Sequence, residues 1–187
     1  MDERPRAVVL VEGISDRIAL EALAERRGRD LAAERVAIVP IGGAQAVGRF
    51  VERFGPHGEN VALAGLCDAA EERYFRRALE RAGLGAGLDR AGMERLGFYV
   101  CVENLEDELI RALGPAAIEE ILVVEGDLGS FRTFQKQLQW RGRSSEAQLR
   151  RWMHSADARN LRYPPMLVRA LEPARVPRPL DCVLAHV

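Results

Sequence analysis

The feature that most constrains this 187-residue chain is its seven-residue opening run, residues 6–12, which reads RAVVLVE and is closed by Gly13. An unbroken apolar run of strand length, rich in β-branched valine, is the pattern of a strand buried on both faces. Such strands occur in the interior of parallel sheets covered by helices. A carboxylate at the end of a buried strand is costly unless a cation or several donors meet it. Glu12 is therefore constrained in fold and in chemistry at once.

The same alternation continues along the chain. Ser15 starts a helix with Ile18, Ala19, Ala22 and Leu23 at helical spacing, ending near Gly28. Residues 36–41 read as a second strand closed by Gly42-Gly43, followed by a helix over 44–54 that Gly55-Pro56 stops. Residues 60–67 form a third strand, 70–82 a helix, 97–102 a fourth strand and 105–113 a helix ended by Gly114-Pro115. Residues 83–97 are glycine-rich and read as loop with a short helix. Beyond Pro115 helical patterns dominate, over 118–124, 131–140, 146–154 and 165–171. The Val176-Pro177-Arg178-Pro179 stretch cannot lie inside a strand or helix. The expected architecture is α/β: a four-stranded, mainly parallel sheet between helices over 1–115, with a helical, basic extension over 116–187 packed on it.

Charge also divides along the chain. Residues 1–127 carry 16 basic and 24 acidic side chains, whereas residues 128–187 carry 11 and 4, so that −8 and +7 sum to the net −1. An acidic body can collect cations and a basic extension can meet a polyanion, although both are equally readable as solvated faces. Only Lys136 among the 27 basic residues is a lysine; so uniform an arginine excess is not evidence for nucleic acid. No apolar run reaches the roughly 20 residues of a membrane span, and the three scattered cysteines suggest neither disulfides nor zinc. The expectation is a cytoplasmic protein.

The acids carry the information. Glu12, Asp68 and Glu103 each follow a strand, so a parallel sheet brings them to one edge, while Asp16, Glu106 and Asp107 lie in first helical turns that face that edge. Such oxygen-rich clusters hold hard divalent cations, although first-turn acids are also favoured simply by the helix dipole.

The segment AVVLVEGISD (7–16) with its following helix resembles the opening motif of Toprim domains. Ile41-Gly42-Gly43 is similar to their second-strand turn, ALAGLCDAAEE to their third-strand motif, and ENLEDELI to the acidic helix of the OLD (overcoming lysogenization defect) nucleases. The resemblance covers about residues 6–113. It implies a three-layer Toprim fold and a Mg2+-dependent site, with Mn2+ as substitute, for phosphodiester processing, most simply DNA cleavage by two metals. Matched position by position, it implies Glu12, Asp16, Asp68 and Glu106 as metal ligands, with Glu12 and Asp68 catalytic. Glu72, Glu103 and Asp107 are the alternatives. It also implies a basic catalytic group in the C-terminal part, at Arg159 or Arg162, with Asn160 at a plausible lysine position. Arg141, Arg143, Arg159 and Arg162 would contact nucleic acid.

Departures accompany the match. The usual Asp-x-Asp reads Asp68-Ala69-Ala70, so the second acid is missing, and Glu71 or Glu72 is not geometrically equivalent. The chain lacks a Walker-type phosphate loop, so an ATPase would be a separate partner. The alternative reading is a non-catalytic nucleic-acid-binding or adaptor module of recombination-mediator type. His57, His154 and His186 make no zinc motif, Cys67 reads as a small apolar strand residue, and Ser144-Ser145 as a helix start. Trp140, Trp152 and Tyr163 read as core sooner than as base-stacking platforms.

Overall fold

The computed structural model describes residues 4–187, apart from the side chain of Asp157. Four strands, β1 (Ala7–Val11), β2 (Val36–Pro40), β3 (Ala62–Cys67) and β4 (Phe98–Val100), form one sheet in the order β2-β1-β3-β4 with every pair parallel. β1 is buried along its whole length, as its doubly apolar sequence requires. Successive side chains point to opposite faces. Ala7, Val9 and Val11 therefore enter one core with Val36, Ile38, Ala64 and Leu66, while Val8 and Leu10 enter a second with Phe75, Leu79 and Phe98. Each fully buried aliphatic of this kind contributes about 1.5–3 kcal/mol.

The connection from β1 to β2 is α1 (Ile14–Arg26), on the first core. The return from β2 to β3 is a 3-10 turn, Ala44–Ala46, and α2 (Val47–Phe54), on the second. The sequence anticipates one continuous helix from residue 44; the positive φ of Gly42 (73°) and Gly43 (106°) instead delivers the chain into a tight turn first. α3 (Glu72–Arg81) and α4 (Arg90–Arg95) link β3 to β4 on the same side as α2. Helices on opposite faces are what right-handed crossovers demand when strand order reverses. The reversal falls between β1 and β3, and the crevice beyond their carboxyl ends is the preferred ligand site of such sheets.

After β4 the chain runs through α5 (Leu105–Leu113), α6 (Pro115–Val124), α7 (Leu128–Gln135), α8 (Ser145–Met153), α9 (Asp157–Ala170) and α10 (Arg178–Ala185). Their apolar faces merge with the first core of the sheet: Trp152, Tyr163, Leu167, Val168, Leu180 and Val183 are buried in the same cluster as Val9 and Leu23. Trp152 sits edge-on to both Phe131 and Tyr163, at ring distances of 5.7 and 5.4 Å. These rings serve the core, in keeping with the burial reading of the sequence, while Trp140 stacks on Phe134.

Three helices of the extension depart from expectation, the first being α7, which ends at Gln135 where the pattern predicts a helix to 140. α9 begins eight residues before the predicted 165 and runs through Pro164 and Pro165. Internal proline removes an amide donor and costs about 3 kcal/mol, which is offset here by the complete burial of Tyr163, Leu167 and Val168. α10 is a helix the sequence reading missed; Pro177-Arg178-Pro179 is its entry, with proline tolerated in the first turn.

Candidate metal centre at the carboxyl edge of the sheet

Glu12 follows β1 and Asp68 follows β3, the two strands on either side of the order reversal. The backbone joins them directly: the Asp68 N–H donates to Glu12 Oε1 at 2.8 Å. That bond fixes the Glu12 carboxylate across the crevice and leaves Oε2 for another partner. The carbonyl of Glu12 in turn accepts the N–H groups of Gly42 and Gly43, at 3.2 and 3.1 Å, so the glycine turn after β2 is tied to the same point. Asp16, in the first turn of α1, accepts the N–H of Gly13 through Oδ2 at 2.7 Å. This is the capping role that first-turn acids ordinarily play.

What sets these acids apart is their electrostatic company. Burial, then the neighbouring Glu12, Asp16, Glu106 and Glu71, push the Asp68 carboxyl up to about 8. Glu12 is raised to about 6 by burial and by Asp16 and Glu71, against the opposing Asp68 N–H. Asp16 is raised to about 6 by burial and by Glu106, against the bond from Gly13. Glu106 is only 4% exposed, and burial raises its carboxyl as well. No arginine or lysine among the described residues pairs with any of the four. Like charges confined together in this way favour protonation, or a cation that replaces the protons.

The neighbouring acids are treated differently. Glu72 is paired with Arg90 at 2.8 Å and Arg76 at 3.7 Å. Arg150 on α8 bonds Glu103 and also Asp107, the latter at 3.0 Å, and Arg111 lies 3.4 Å from Asp107. Glu108 accepts the Val102 N–H at 2.6 Å and pairs with Arg111. The first-choice set, Glu12, Asp16, Asp68 and Glu106, is thus brought together without counter-charge, whereas Glu72, Glu103 and Asp107 are each engaged by arginine.

The basic residues are distributed less simply. Arg159 does not reach the acids. Its guanidinium stacks 4.2 Å over Trp152 and donates to Ser155 Oγ at 2.8 Å and Ser130 Oγ at 3.1 Å. Arg162 is paired with Glu125 and Asp127, and Arg141 donates to the Lys136 carbonyl. No side-chain bond or ion pair engages Arg143 among the described residues. Asn160 keeps Oδ1 buried without a hydrogen-bond partner. Among the basic side chains beside the acidic edge are Arg150 and His154, neither of which the sequence assigns to the site. His154 Nε2 lies 3.6 Å from Glu106 Oε2. Burial, Arg150 and Arg151 hold this imidazole below the usual histidine range, so the contact is not an ion pair at neutral pH. Its one sequence signal was the four-residue spacing from Arg150, which puts both on one helix face. Cys67 is buried and its thiol is pushed far above the ordinary range, leaving it inert as a nucleophile.

Among the described residues no group of three or more His, Cys, Asp or Glu side chains is arranged to hold a metal ion. A hard cation such as Mg2+ does not need one, since it keeps several waters and takes one or two carboxylates directly. A set of four half-buried or buried carboxylates with no counter-charge fits such an ion. A structural zinc site would call for four tight nitrogen or sulfur ligands.

An all-parallel sheet in this strand order, with acids at its carboxyl edge, is an α/β arrangement in keeping with the Toprim-like fold that the sequence resemblance implies. Residues 5–68 match the family model described as "Overcoming lysogenization defect protein-like, TOPRIM domain". The fold is that of the C-terminal region of OLD proteins. It is similar to that region of the Xanthomonas campestris pv. campestris OLD protein at 22% identity and a TM-score of 0.75, covering 97% of this chain and 94% of that one. It is also similar to that of the Burkholderia pseudomallei OLD protein at 18% identity and a TM-score of 0.73, covering 97% and 96%. No curated protein matches the sequence. The family match thus covers residues 5–68, and the likeness to the OLD C-terminal regions extends the same fold over nearly the whole chain. No described helix is long and apolar enough to cross a membrane.

Proposed function

We propose that this chain is a Mg2+-dependent phosphodiester-processing protein, a DNA endonuclease or nickase, with Mn2+ able to replace Mg2+. The observation that carries the reading is the group Glu12, Asp16, Asp68 and Glu106, gathered from three strand–helix junctions with no arginine among them while every alternative acid is arginine-bound. Glu12 and Asp68 would hold one ion directly, with Asp16 reaching it through water, and Glu106 would serve a second. Bound there, divalent ions supply a water of lowered pKa and neutralise charge on a phosphoryl group.

The chain's own contribution is positional. The Asp68 N–H holds Glu12 in one orientation, and the Gly13 N–H does the same for Asp16. Arg150 and His154 stand where they can face a phosphate that approaches the acids, and they replace Arg159 as the basic groups nearest the chemistry. Arginine there can stabilise developing charge but cannot serve as a base. Arg141, Arg143 and Arg159 remain outer contacts for nucleic acid. A cytoplasmic setting accords with this chemistry.

The test is incubation of plasmid with the protein and Mg2+ or Mn2+, beside Glu12→Gln. Cleavage by the wild type alone supports the reading; equal cleavage by both, or by neither, overturns it. A second reading, a non-catalytic nucleic-acid-binding adaptor, is favoured by Ala70 standing where a second acid is usual. It predicts no Asp68-dependent Mg2+ binding by calorimetry.

A further inference from the structure

Two sizeable cavities are not lined by any of the four acids. One of them, about 620 Å³, is the groove between α2 and α3, bounded by Gln45, Gly48, Arg49, Glu52, His57 and Arg81. Arg49 and Arg81 are exposed, and among the described residues neither has a carboxylate partner. Arg49 lies 5.0 Å over the Phe50 ring and Arg81 donates through Nε to the Arg77 carbonyl. Both bonds leave guanidinium N–H groups directed elsewhere. The missing side chain of Gly48 makes room for Arg81: a Cβ there would lie 3.3 Å from Nη2. Glu52 is the one carboxylate on the groove wall.

The groove also has a direction. Its Gln45 end lies two residues beyond Gly43, whose N–H bonds to the carbonyl of Glu12. A chain of phosphates lying in the groove would therefore run towards the acidic edge. Unpaired guanidinium groups are the natural partners of phosphate oxygens, whereas much of the basic charge in the C-terminal extension is already spent. Arg132, Arg150, Arg162, Arg169 and Arg178 are each paired with an acid.

We propose that the α2–α3 groove is a track for the phosphodiester backbone of nucleic acid, gripped by Arg49 and Arg81 and leading to the acid cluster. The inference deepens the nucleic-acid reading above and rests on it.

Fluorescence anisotropy in EDTA tests it, with labelled duplex DNA, single-stranded DNA and RNA of equal length titrated at several salt concentrations. For the preferred probe, if duplex, Arg49→Ala/Arg81→Ala lowers the slope of log K against log salt by about 1.8, two contacts at roughly 0.9 each. Arg49→Lys/Arg81→Lys keeps most of the slope, Glu52→Gln tightens binding, and Arg178→Ala, which removes an arginine already bound to Glu94, leaves the slope unchanged. An unchanged slope in the double alanine variant, with its melting transition intact, overturns the proposal. So does the absence of binding to all three probes. Glu12→Gln separates the two ideas: cleavage unaffected by it removes the catalytic reading, while a slope change confined to the groove variants still establishes the track.

Discussion

Glu12, Asp16, Asp68 and Glu106 share an edge of the sheet with Glu72, Glu103, Asp107 and Glu108, often within a few residues of one another, yet the two sets live in opposite electrostatic worlds. The second set is held by Arg76, Arg90, Arg111 and Arg150. The first has backbone N–H groups, one another and, at Glu106, the His154 imidazole, but no arginine among the described residues. Position on the edge is therefore insufficient to make an acid available to a cation; the absence of an arginine is what does so. Asp107 shows the contrast well, since burial raises its carboxyl while Arg111 and Arg150 pull it back.

The contrast breaks most sharply on activity. Glu12→Gln and Asp68→Asn are expected to reduce metal-dependent plasmid cleavage by more than roughly 100-fold, the upper end of what outer partners of a metal site usually cost. Glu103→Gln is expected to stay within about threefold on the same scale. Comparable losses in both sets would erase the distinction.

Stability against pH sharpens it next. Carboxyls raised in the folded protein to about 6 for Glu12 and Asp16 and about 8 for Asp68 bind protons that the unfolded chain has already lost. Stability from this source is present in full at low pH and falls as pH rises from about 4 to about 8. In EDTA the protein should melt higher at pH 5 than at pH 8, Asp68→Asn should flatten that dependence, and Mg2+ should raise the melting temperature at pH 8 in the wild type. A melting temperature that climbs between pH 5 and 8 in EDTA would contradict the unpaired set.

Arg150→Ala converts members of the paired set into unpaired ones. Its expected cost is about 1–2 kcal/mol by urea unfolding, between the limits for exposed and buried pairs, together with a steeper fall of stability with pH. The smallest effect is expected for Arg53→Ala, which loses an exposed pair with Glu59 and should change stability by about 0–1 kcal/mol.

The charge asymmetry of the chain acquires a different meaning in three dimensions. The basic extension reads in sequence as a surface for a polyanion, but Arg150, Arg162, Arg169 and Arg178 reach back to acids of the body. Net charge over a segment counts residues without regard to which neighbours they meet, so it could not separate charges already neutralised from those at Arg49 and Arg81. The same limit explains Arg159 and His154. The family resemblance favoured the former, whereas packing turned its guanidinium onto Trp152 and put His154 opposite Glu106.

Local physical chemistry was enough for much of the rest. The apolar valine run fixes a doubly buried strand, and the strand–helix alternation fixes a parallel sheet. Together they oblige Glu12 and Asp68 to emerge at one edge, because strand direction and crossover hand leave no other arrangement. The tertiary structure alone decided which acids kept their charge uncompensated, that α9 would continue through two prolines, and where α10 would close the sheet. Those outcomes depend on contacts between residues as much as 158 positions apart, such as Arg29 with the carbonyl of Val187, and no local pattern encodes them.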